Sequence, residues 1–342
     1  MQLDTVRISI PLKKPFTLSK GSATVKTNVL AVMNNRYNGE ASGSIHAGPT
    51  VEEIEKDLKI GLKQLAEIKE ITIETMNEVQ TWKINATARS ALTAMLLHFL
   101  SGESKRYPWE LLSMPTPVGI KSSFTIGIED TESMIETIKS CDSPIIKIKM
   151  GHEEDVLILD ALDEVVGKEI RVDANGGWSL QKAEEMIMQL SRKGVTVIEQ
   201  PTLAEHFKEW PHIKGKNESV ELIADEGLYS LADYRKYADY IDGVNIKMEK
   251  CGGVLQGIEI ARAAQEQNKK VMLGCMVESS IGISQSIYMS SVADYFDLDG
   301  PLLLEDDIAD GIRYDRESIE VDREIIGGPK LKRNVIDKYI QE

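Results

Sequence analysis

Short apolar runs alternate with amphipathic stretches of helical spacing from Ser122 onward. The apolar runs centre on eight positions about 25 residues apart, at residues 124, 147, 172, 198, 224, 246, 273 and 296. A β-strand, a helix and two short loops occupy about this length. The alternation predicts a parallel sheet, and eight units predict an α/β fold whose sheet closes into a (β/α) barrel, a modified TIM barrel. An open doubly wound sheet is the competing interpretation, but no strand is followed by the GxGxxG motif of its nucleotide-binding members.

The first third of the chain has a different pattern. Residues 3–10 and 25–33 have strand-like composition and predict an antiparallel pair joined by a polar, turn-rich connection. Three helices are predicted next, at 50–67, 73–80 and 86–101. A capping box of Thr50 and Glu53 begins the first helix, and Gly102 ends the third. We therefore predict an α+β domain, a barrel domain and a C-terminal segment that returns to the first domain, at residues 1–112, 113–304 and 305–342.

Charge and composition narrow the classes of partner. The 342 residues include 55 acidic and 40 basic side chains, and the resulting net charge of −15 disfavours nucleic acid and membranes as partners. The N-terminus lacks the apolar core of a signal peptide, and no apolar run reaches the roughly 20 residues that span a bilayer. An odd number of cysteines without metal-type spacing predicts reduced thiols in a cytoplasmic enzyme. Formation of a homo-oligomer is left open.

Three acidic residues recur at the ends of successive predicted strands: Asp173, Glu199 and Asp225. In a barrel, the carboxyl ends of neighbouring strands meet at one rim, so these carboxylates converge. Three such charges repel one another unless a cation lies between them, and hard oxygen ligands favour magnesium over zinc. The pattern therefore predicts a Mg²⁺ site, although each acid taken alone could simply cap a loop.

Lysines flank the acidic strand ends on both sides. Lys147 and Lys149 are two residues apart on one strand, so both point into the barrel, and Lys247 occupies the equivalent rim position on the other flank. A substrate carboxylate bound to the metal would have a lysine on each face. One lysine could remove the proton from the adjacent carbon, giving an enolate, and the other could return it to the opposite face. This order of residues predicts racemisation or epimerisation by 1,1-proton transfer.

The same residues lie in motifs that resemble those of the enolase superfamily, in its muconate-lactonizing enzyme subgroup. The matching segments are IKIKMG (146–151), VDANGGW (172–178), IEQP (198–201), ADEG (224–227), NIKMEKCGG (245–253) and GCMVESS (274–280). The resemblance implies an enolase-like barrel whose N-terminal α+β domain is a capping domain over the barrel mouth. It also implies one Mg²⁺ per active site, with these roles: metal ligands Asp173, Glu199 and Asp225, acid/base residues Lys149 and Lys247, and auxiliary cation Lys147.

Within this subgroup, the segment FDLDGPL (296–302) resembles that of dipeptide epimerases. In those enzymes a D-x-D pair holds the substrate α-ammonium group, which implies this role for Asp297 and Asp299. The first loop, PFTLSKGS (15–22), has Lys20 where an arginine is common in enzymes acting on Ala-Glu. Lys20 is therefore a candidate contact to an acidic side chain, and the strand residue Thr125 a candidate contact to the dipeptide backbone. A solvated loop lysine and a packing threonine are the alternatives.

The prediction is thus a Mg²⁺-dependent isomerase, a dipeptide epimerase that inverts the Cα of the C-terminal residue of an Ala-Glu-like or hydrophobic dipeptide. The nearest alternatives belong to the same subgroup: an N-acylamino-acid racemase, a cycloisomerase or an o-succinylbenzoate synthase. These act on substrates without a free α-ammonium group, so the aspartate pair disfavours them. A Schiff-base aldolase barrel would need only a strand-end lysine, and a non-catalytic metal-binding barrel would need none.

Overall fold

The computed structural model describes residues 1–18, 21–43, 48–165 and 167–341. The chain begins with a three-stranded antiparallel sheet of β1 (Leu3–Leu18), β2 (Gly21–Met33) and β3 (Tyr37–Ala41). The turn-rich connection predicted between the first two strands is wrong. Backbone pairing resumes after a register shift between Pro11 and Phe16 and continues to Leu18 opposite Gly21, so the polar segment is part of the ladder. Polar side chains do not prevent a strand when the backbone groups of a partner strand are available.

Three helices pack against this sheet: α1 (Val51–Ala66), α2 (Ile73–Thr81) and α3 (Ala86–Ser104). The capping box is present, since Glu53 N–H donates to Thr50 Oγ1 (3.2 Å) and Thr50 N–H to the Glu53 carboxylate (2.8 Å). Gly102 does not end α3 as predicted. A Cβ there would lie 2.5 Å from the Tyr37 ring, so this glycine lets the helix approach β3 closely. We refer to β1–β3 with α1–α3 as the cap.

The chain between Phe124 and Asp297 forms an eight-stranded parallel sheet in sequential order. Its strands are β5 (Phe124–Ile126), β6 (Ile145–Lys149), β7 (Glu169–Asp173), β8 (Val197–Glu199), β9 (Glu221–Ala224), β10 (Gly243–Lys247), β11 (Lys270–Gly274) and β12 (Tyr295–Asp297). All eight contain the position predicted from the apolar runs. A backbone bridge between Ser122 and Phe296, with Ser123 N–H donating to Phe296 O (3.1 Å), joins the two edges. The predicted barrel is confirmed.

Helices lie between the strands and around them. They are α4 (Pro108–Leu111), α5 (Thr131–Ser140), α6 (Leu159–Leu162), α7 (Leu180–Arg192), α8 (Trp210–Lys214), α9 (Leu231–Tyr237), α10 (Met248–Cys251), α11 (Val254–Glu266), α12 (Ser280–Tyr288), α13 (Gly300–Leu303) and α14 (Arg333–Ile336). Four 3₁₀ helices complete the set among the described residues, at Glu153–Ile158, Ala204–Glu209, Ala238–Tyr240 and Ser290–Val292. Among all the residues that the structure describes, no helix is both long and apolar enough to cross a membrane.

The C-terminal segment contacts both the start of the barrel and the cap. It adds the short strands β13 (Ala309–Asp310), β14 (Ile312–Asp315), β15 (Ser318–Val321) and β16 (Lys330–Leu331), and β15 pairs with β4 (Ile120–Lys121) before the barrel. Its end lies along β1, where Ser9 N–H donates to Tyr339 O (2.9 Å) and Gln341 N–H to Arg7 O (3.0 Å). These hydrogen bonds attach the C-terminal end of the chain to the cap. The residue positions of the domain boundaries stay a prediction.

The cap is held at the carboxyl ends of the barrel strands by a buried glutamate. Glu40, on β3, accepts hydrogen bonds from the Asn28 amide (2.7 Å), from the Ser279 N–H (3.0 Å) and from the Gly282 N–H (3.1 Å). The last two donors lie at the start of α12, just past the end of β11. Favourable interaction of a carboxylate with a helix N-terminus contributes to this contact. The cap therefore covers the rim at which the sequence predicts an active site.

Candidate active site

The three predicted metal ligands lie side by side at the carboxyl ends of adjacent strands. Asp173 ends β7 and is paired in register with Glu199, which ends β8, while Asp225 follows the last residue of β9. Each side chain has no more than 1% of its surface exposed. The fold thus brings together three acidic groups that are 26 residues apart in sequence at each step (199−173 and 225−199).

Lys147 is the central cation of this rim. Its ammonium nitrogen lies 3.0 Å from Asp173 Oδ2, 2.6 Å from Glu199 Oε2 and 2.6 Å from Asp297 Oδ2. Although burial alone would lower the pKa of Lys147, these carboxylates outweigh it and raise the pKa well above its usual value. Lys147 is therefore held as a cation, in keeping with an auxiliary role. Asp225 and Glu199 likewise outweigh burial and raise the pKa of Lys247.

Lys149 and Lys247 flank the acidic cluster. The Lys149 ammonium lies 2.6 Å from Asp173 Oδ2, and that of Lys247 lies 3.0 Å from Asp225 Oδ2. Both lysines line one cavity of about 110 Å³ under the cap. Their strands, β6 and β10, are separated in the sheet by the three strands that lead to the acids. The structure therefore places two amines on different sides of one small space.

The electrostatic state of each acid follows from its neighbours. Burial pushes the pKa of Asp173 upward, but the ammonium groups of Lys147 and Lys149 hold it below its usual range. Asp225 is affected in the same way, with Lys247 as its main cationic neighbour. Glu199 differs, because burial and then the charge of Asp173 raise its pKa to about 7. Burial and the charge of Asp173 thus outweigh the ion pair between Lys147 and Glu199.

Three polar residues at this rim were not predicted. Asn245 donates to Glu199 Oε1 (2.8 Å), Lys250 forms an ion pair with Asp225, and the Gln200 side chain accepts the backbone N–H of Asp225 (2.8 Å). Two of them carry a detectable signal in the sequence. Asn245 lies two residues before Lys247 and shares its strand face, and Lys250 lies one helical turn after it. Gln200 owes its position to a backbone φ of 41°, which the sequence does not indicate.

The acidic rim residues fit a magnesium ion. Glu199 Oε2 and Asp225 Oδ2 are buried oxygen atoms without a hydrogen bond, and each contacts only a lysine ammonium group, that of Lys147 (2.6 Å) and that of Lys247 (3.0 Å). Carboxylate oxygens are the ligands that Mg²⁺ prefers. Within the described ranges, no three acidic, imidazole or thiol groups are close enough together to form a metal-binding cluster. Lysine ammonium groups lie against the carboxylates instead. Metal binding would exchange these ammonium contacts for a single cation.

The predicted D-x-D pair lines the same cavity. Asp297 ends β12, whereas Asp299 lies beyond the strand, which is shorter than the predicted 293–299. The two carboxylates are nevertheless brought together by Thr125, whose N–H donates to Asp299 Oδ2 (2.6 Å) and whose hydroxyl lies 3.4 Å from Asp297 Oδ1. Ser123 adds a hydroxyl donor to Asp297 Oδ1 at 2.9 Å. Thr125 thus contacts the aspartate pair, and its predicted contact to a dipeptide backbone stays a prediction.

The charge of this pair is not fully compensated. Lys147 outweighs the effect of burial and lowers the pKa of Asp297, while burial and the charge of Asp297 raise the pKa of Asp299 to about 6. Two carboxylates that share one wall of a cavity call for a cationic partner. Asp297 has Lys147 as its cationic partner (2.6 Å), whereas Asp299 lines the cavity without an ion pair among the described residues.

Lys20 lies outside the described residues, so its predicted contact to an acidic side chain stays a prediction. Glu278 is a buried residue near Glu40 and Glu249, and burial and then Glu40 raise its pKa to about 8.

Comparison with known proteins supports the same reading of the fold. A family model described as enolase C-terminal domain-like matches residues 134–323. The chain is 31% identical over 318 residues to an L-Ala-D/L-amino acid epimerase of Maribacter sp. strain HTCC2170, with 92% of this chain and 94% of the relative covered.

Two solved structures are similar in fold. A dipeptide epimerase of Enterococcus faecalis in complex with Mg and L-Leu-L-Tyr has a TM-score of 0.87 at 21% identity, covering 96% of this chain and 98% of its own. An N-succinyl Arg/Lys racemase of Bacillus cereus has a TM-score of 0.86 at 25% identity, covering 100% and 99%. With its capped barrel, its strand-end acids and these matches, the chain belongs to the enolase superfamily, as the resemblance of its motifs predicted.

Proposed function

We propose that the protein is a dipeptide epimerase that inverts the Cα configuration of the C-terminal residue. The observation that carries this proposal is the shared cavity, in which Asp297 and Asp299 face the same space as Lys149 and Lys247. Epimerisation needs a group on each face of Cα, and a dipeptide offers an α-ammonium group that an N-acyl amino acid lacks. Both requirements are met by residues of one site.

The two flanking lysines would perform the proton transfer. A neutral amine on one face removes the Cα proton, and the ammonium group of the other lysine returns a proton to the opposite face, which inverts the centre. The roles exchange when the other epimer binds. Both lysines already line the cavity in which the substrate would bind.

The substrate carboxylate would bind above Asp173, Glu199 and Asp225. A magnesium ion held by these three residues would supply the positive charge that stabilises the carboxylate as negative charge develops on it. Lys147 contributes a second, permanent positive charge at the same place. The cap excludes water from these groups, which strengthens their electrostatic effect.

Acetylation of the dipeptide amino group tests the role of the aspartate pair. We expect kcat/KM for an N-acetyl dipeptide to fall at least about tenfold below that for the free dipeptide, because hydrogen bonds to charged groups contribute about 1.5–3 kcal/mol each. Asp297→Asn should lower kcat/KM for the free dipeptide and narrow the difference between the two substrates. Chiral chromatography of the epimers measures both rates.

Asp294→Asn is the matched control for this test, because Asp294 precedes the same strand but contacts Val271 and Lys270 outside the cavity. It should leave the preference for the free amino group unchanged. A preference for the acylated substrate would contradict the proposal. It would favour an N-acylamino-acid racemase instead, which the similarity to the N-succinyl Arg/Lys racemase makes the second candidate.

We also propose that the protein works in a reducing compartment such as the cytoplasm. Cys141, Cys251 and Cys275 form no disulfide bond. Cys275 lines the active-site cavity, and burial raises its pKa well above the usual value, so it is present as a thiol.

A further inference from the structure

Lys26 is a cap residue that reaches the active-site cavity. It lies on β2, has 5% of its surface exposed, and lines the same cavity as Lys149, Lys247 and the aspartate pair. Its ammonium group donates one hydrogen bond to the carbonyl oxygen of Gly43, two residues past the end of β3. A lysine ammonium has three donors, and residues 1–18, 21–43, 48–165 and 167–341 provide an acceptor for one of them. The cap thus presents a buried cation to the space in which the substrate would bind.

This lysine differs from the other lysines of the cavity, because it forms no ion pair with any acidic side chain in the part of the chain that the structure describes. Lys149 is paired with Asp173, while Lys247 and Lys250 are both paired with Asp225. No carboxylate of the described residues lies within 4.0 Å of the Lys26 ammonium nitrogen. Burial of a charge without a partner costs free energy. We therefore expect the Lys26 ammonium group to bind an anion that is not part of the chain, such as a substrate carboxylate.

A buried group of glutamates is the alternative partner, because Glu249, Glu278 and Glu40 lie near enough to Lys26 to affect its pKa. They offset burial only in part, since burial lowers the pKa of Lys26 to about 8. Glu40 is already occupied by donors from Asn28 and α12. Burial also raises the pKa of Glu249 and Glu278, which reduces the negative charge of the group at neutral pH. These glutamates are therefore weak partners for the ammonium group.

We propose that Lys26 binds a carboxylate on the side chain of the residue that is epimerised, and so makes acidic dipeptides the preferred substrates. This inference rests on the proposed function. The N-terminal residue would be anchored at Asp297 and Asp299, and the main-chain carboxylate at the metal ligands. The side chain of the C-terminal residue is then the group that can extend toward the cap. Lys26 would act as a specificity residue, not as a catalytic one.

The test compares L-Ala-L-Glu with L-Ala-L-Gln, which have nearly the same shape and differ in charge. We expect Lys26→Met to lower the ratio of kcat/KM for the Glu dipeptide over the Gln dipeptide by about tenfold or more, mainly through KM. Lys26→Arg keeps the charge and should retain most of the preference. Isothermal titration with both dipeptides measures the same ratio as Kd, independently of turnover.

Lys13→Met is the matched control. Lys13 also lies on a cap strand and donates to a main-chain carbonyl, that of Leu302 (3.0 Å), but it does not line the cavity. This variant should keep the wild-type ratio. The inference is overturned if Lys26→Met changes binding of both dipeptides equally, which would make Lys26 a counter-ion of the glutamates, or if Lys20→Met alone removes the preference. Selective binding without epimerisation would instead support the role of Lys26 and contradict the proposed function.

Discussion

Replacement of Lys149 or Lys247 with alanine is expected to lower the rate of epimerisation by about 10²- to 10⁴-fold, the usual contribution of a positioned acid or base. The two variants should differ in what they retain. Each keeps one amine, and this amine can still exchange the Cα proton of the epimer that presents its proton to that side. One variant should therefore exchange the L,L-epimer with solvent deuterium, and the other only the L,D-epimer. Nuclear magnetic resonance of each pure epimer in D₂O separates the two activities.

A suitable control is Lys214→Ala. Lys214 also forms an ion pair, with Asp242 at 2.8 Å, but lies on α8 outside the cavity. Its loss should affect neither epimerisation nor exchange. If Lys149→Ala and Lys247→Ala lost exchange of the same epimer, the lysines would not lie on opposite faces of Cα. Net epimerisation within tenfold of the wild-type rate in either variant would exclude that lysine as an acid or base.

Removal of divalent metal with a chelator is expected to abolish epimerisation while the protein stays folded. The carboxylates are already paired in the structure, Asp173 with Lys147 and Lys149, and Asp225 with Lys247 and Lys250. The charges of these two aspartates are thus compensated by the chain itself, so we expect the rim to stay folded without the metal. Added Mg²⁺ should restore activity and raise the melting temperature. At a Mg²⁺ concentration of one hundred times its Kd, binding adds about 2.7 kcal/mol to the free energy of unfolding.

Asp225→Asn should remove the response of both activity and melting temperature to Mg²⁺. Asp160→Asn replaces a fully exposed aspartate and should preserve the response. Thermal melts monitored by circular dichroism, with and without chelator, measure the effect on folding. Unfolding of the wild-type protein by the chelator at room temperature would contradict the proposed compensation by lysines. Full activity in excess chelator would contradict a metal site.

The barrel could be predicted from the sequence because its signal is repeated. Eight apolar runs at nearly constant spacing leave few alternatives, and Lys147 and Lys149, two residues apart, report the direction of their side chains directly. The acids at the ends of β7, β8 and β9 follow from the same repeat. For these residues, the spacing along the sequence and the position in the barrel agree, because both follow from one repeating strand–helix unit.

Other features depend on contacts between distant segments, and these were missed or wrong. Glycine is common at helix ends, but Gly102 lies inside α3 and in close contact with the Tyr37 ring. Lys26 has no motif around it, and only the docking of the cap brings it to the cavity. Asp299 was predicted on a strand that ends at Asp297, and Thr125 rather than strand geometry brings the two together. Tertiary contacts of this kind leave no periodic signal.

The most direct test of the central claim is deuterium exchange by the wild-type enzyme. The protein is incubated with Mg²⁺ and a panel of L,L-dipeptides in D₂O, and the Cα–H signals of both residues are followed by nuclear magnetic resonance. We predict loss of the Cα–H signal of the C-terminal residue alone, together with appearance of the L,D-epimer carrying deuterium at that carbon. Absence of exchange with every dipeptide, or exchange at the N-terminal residue, would contradict it.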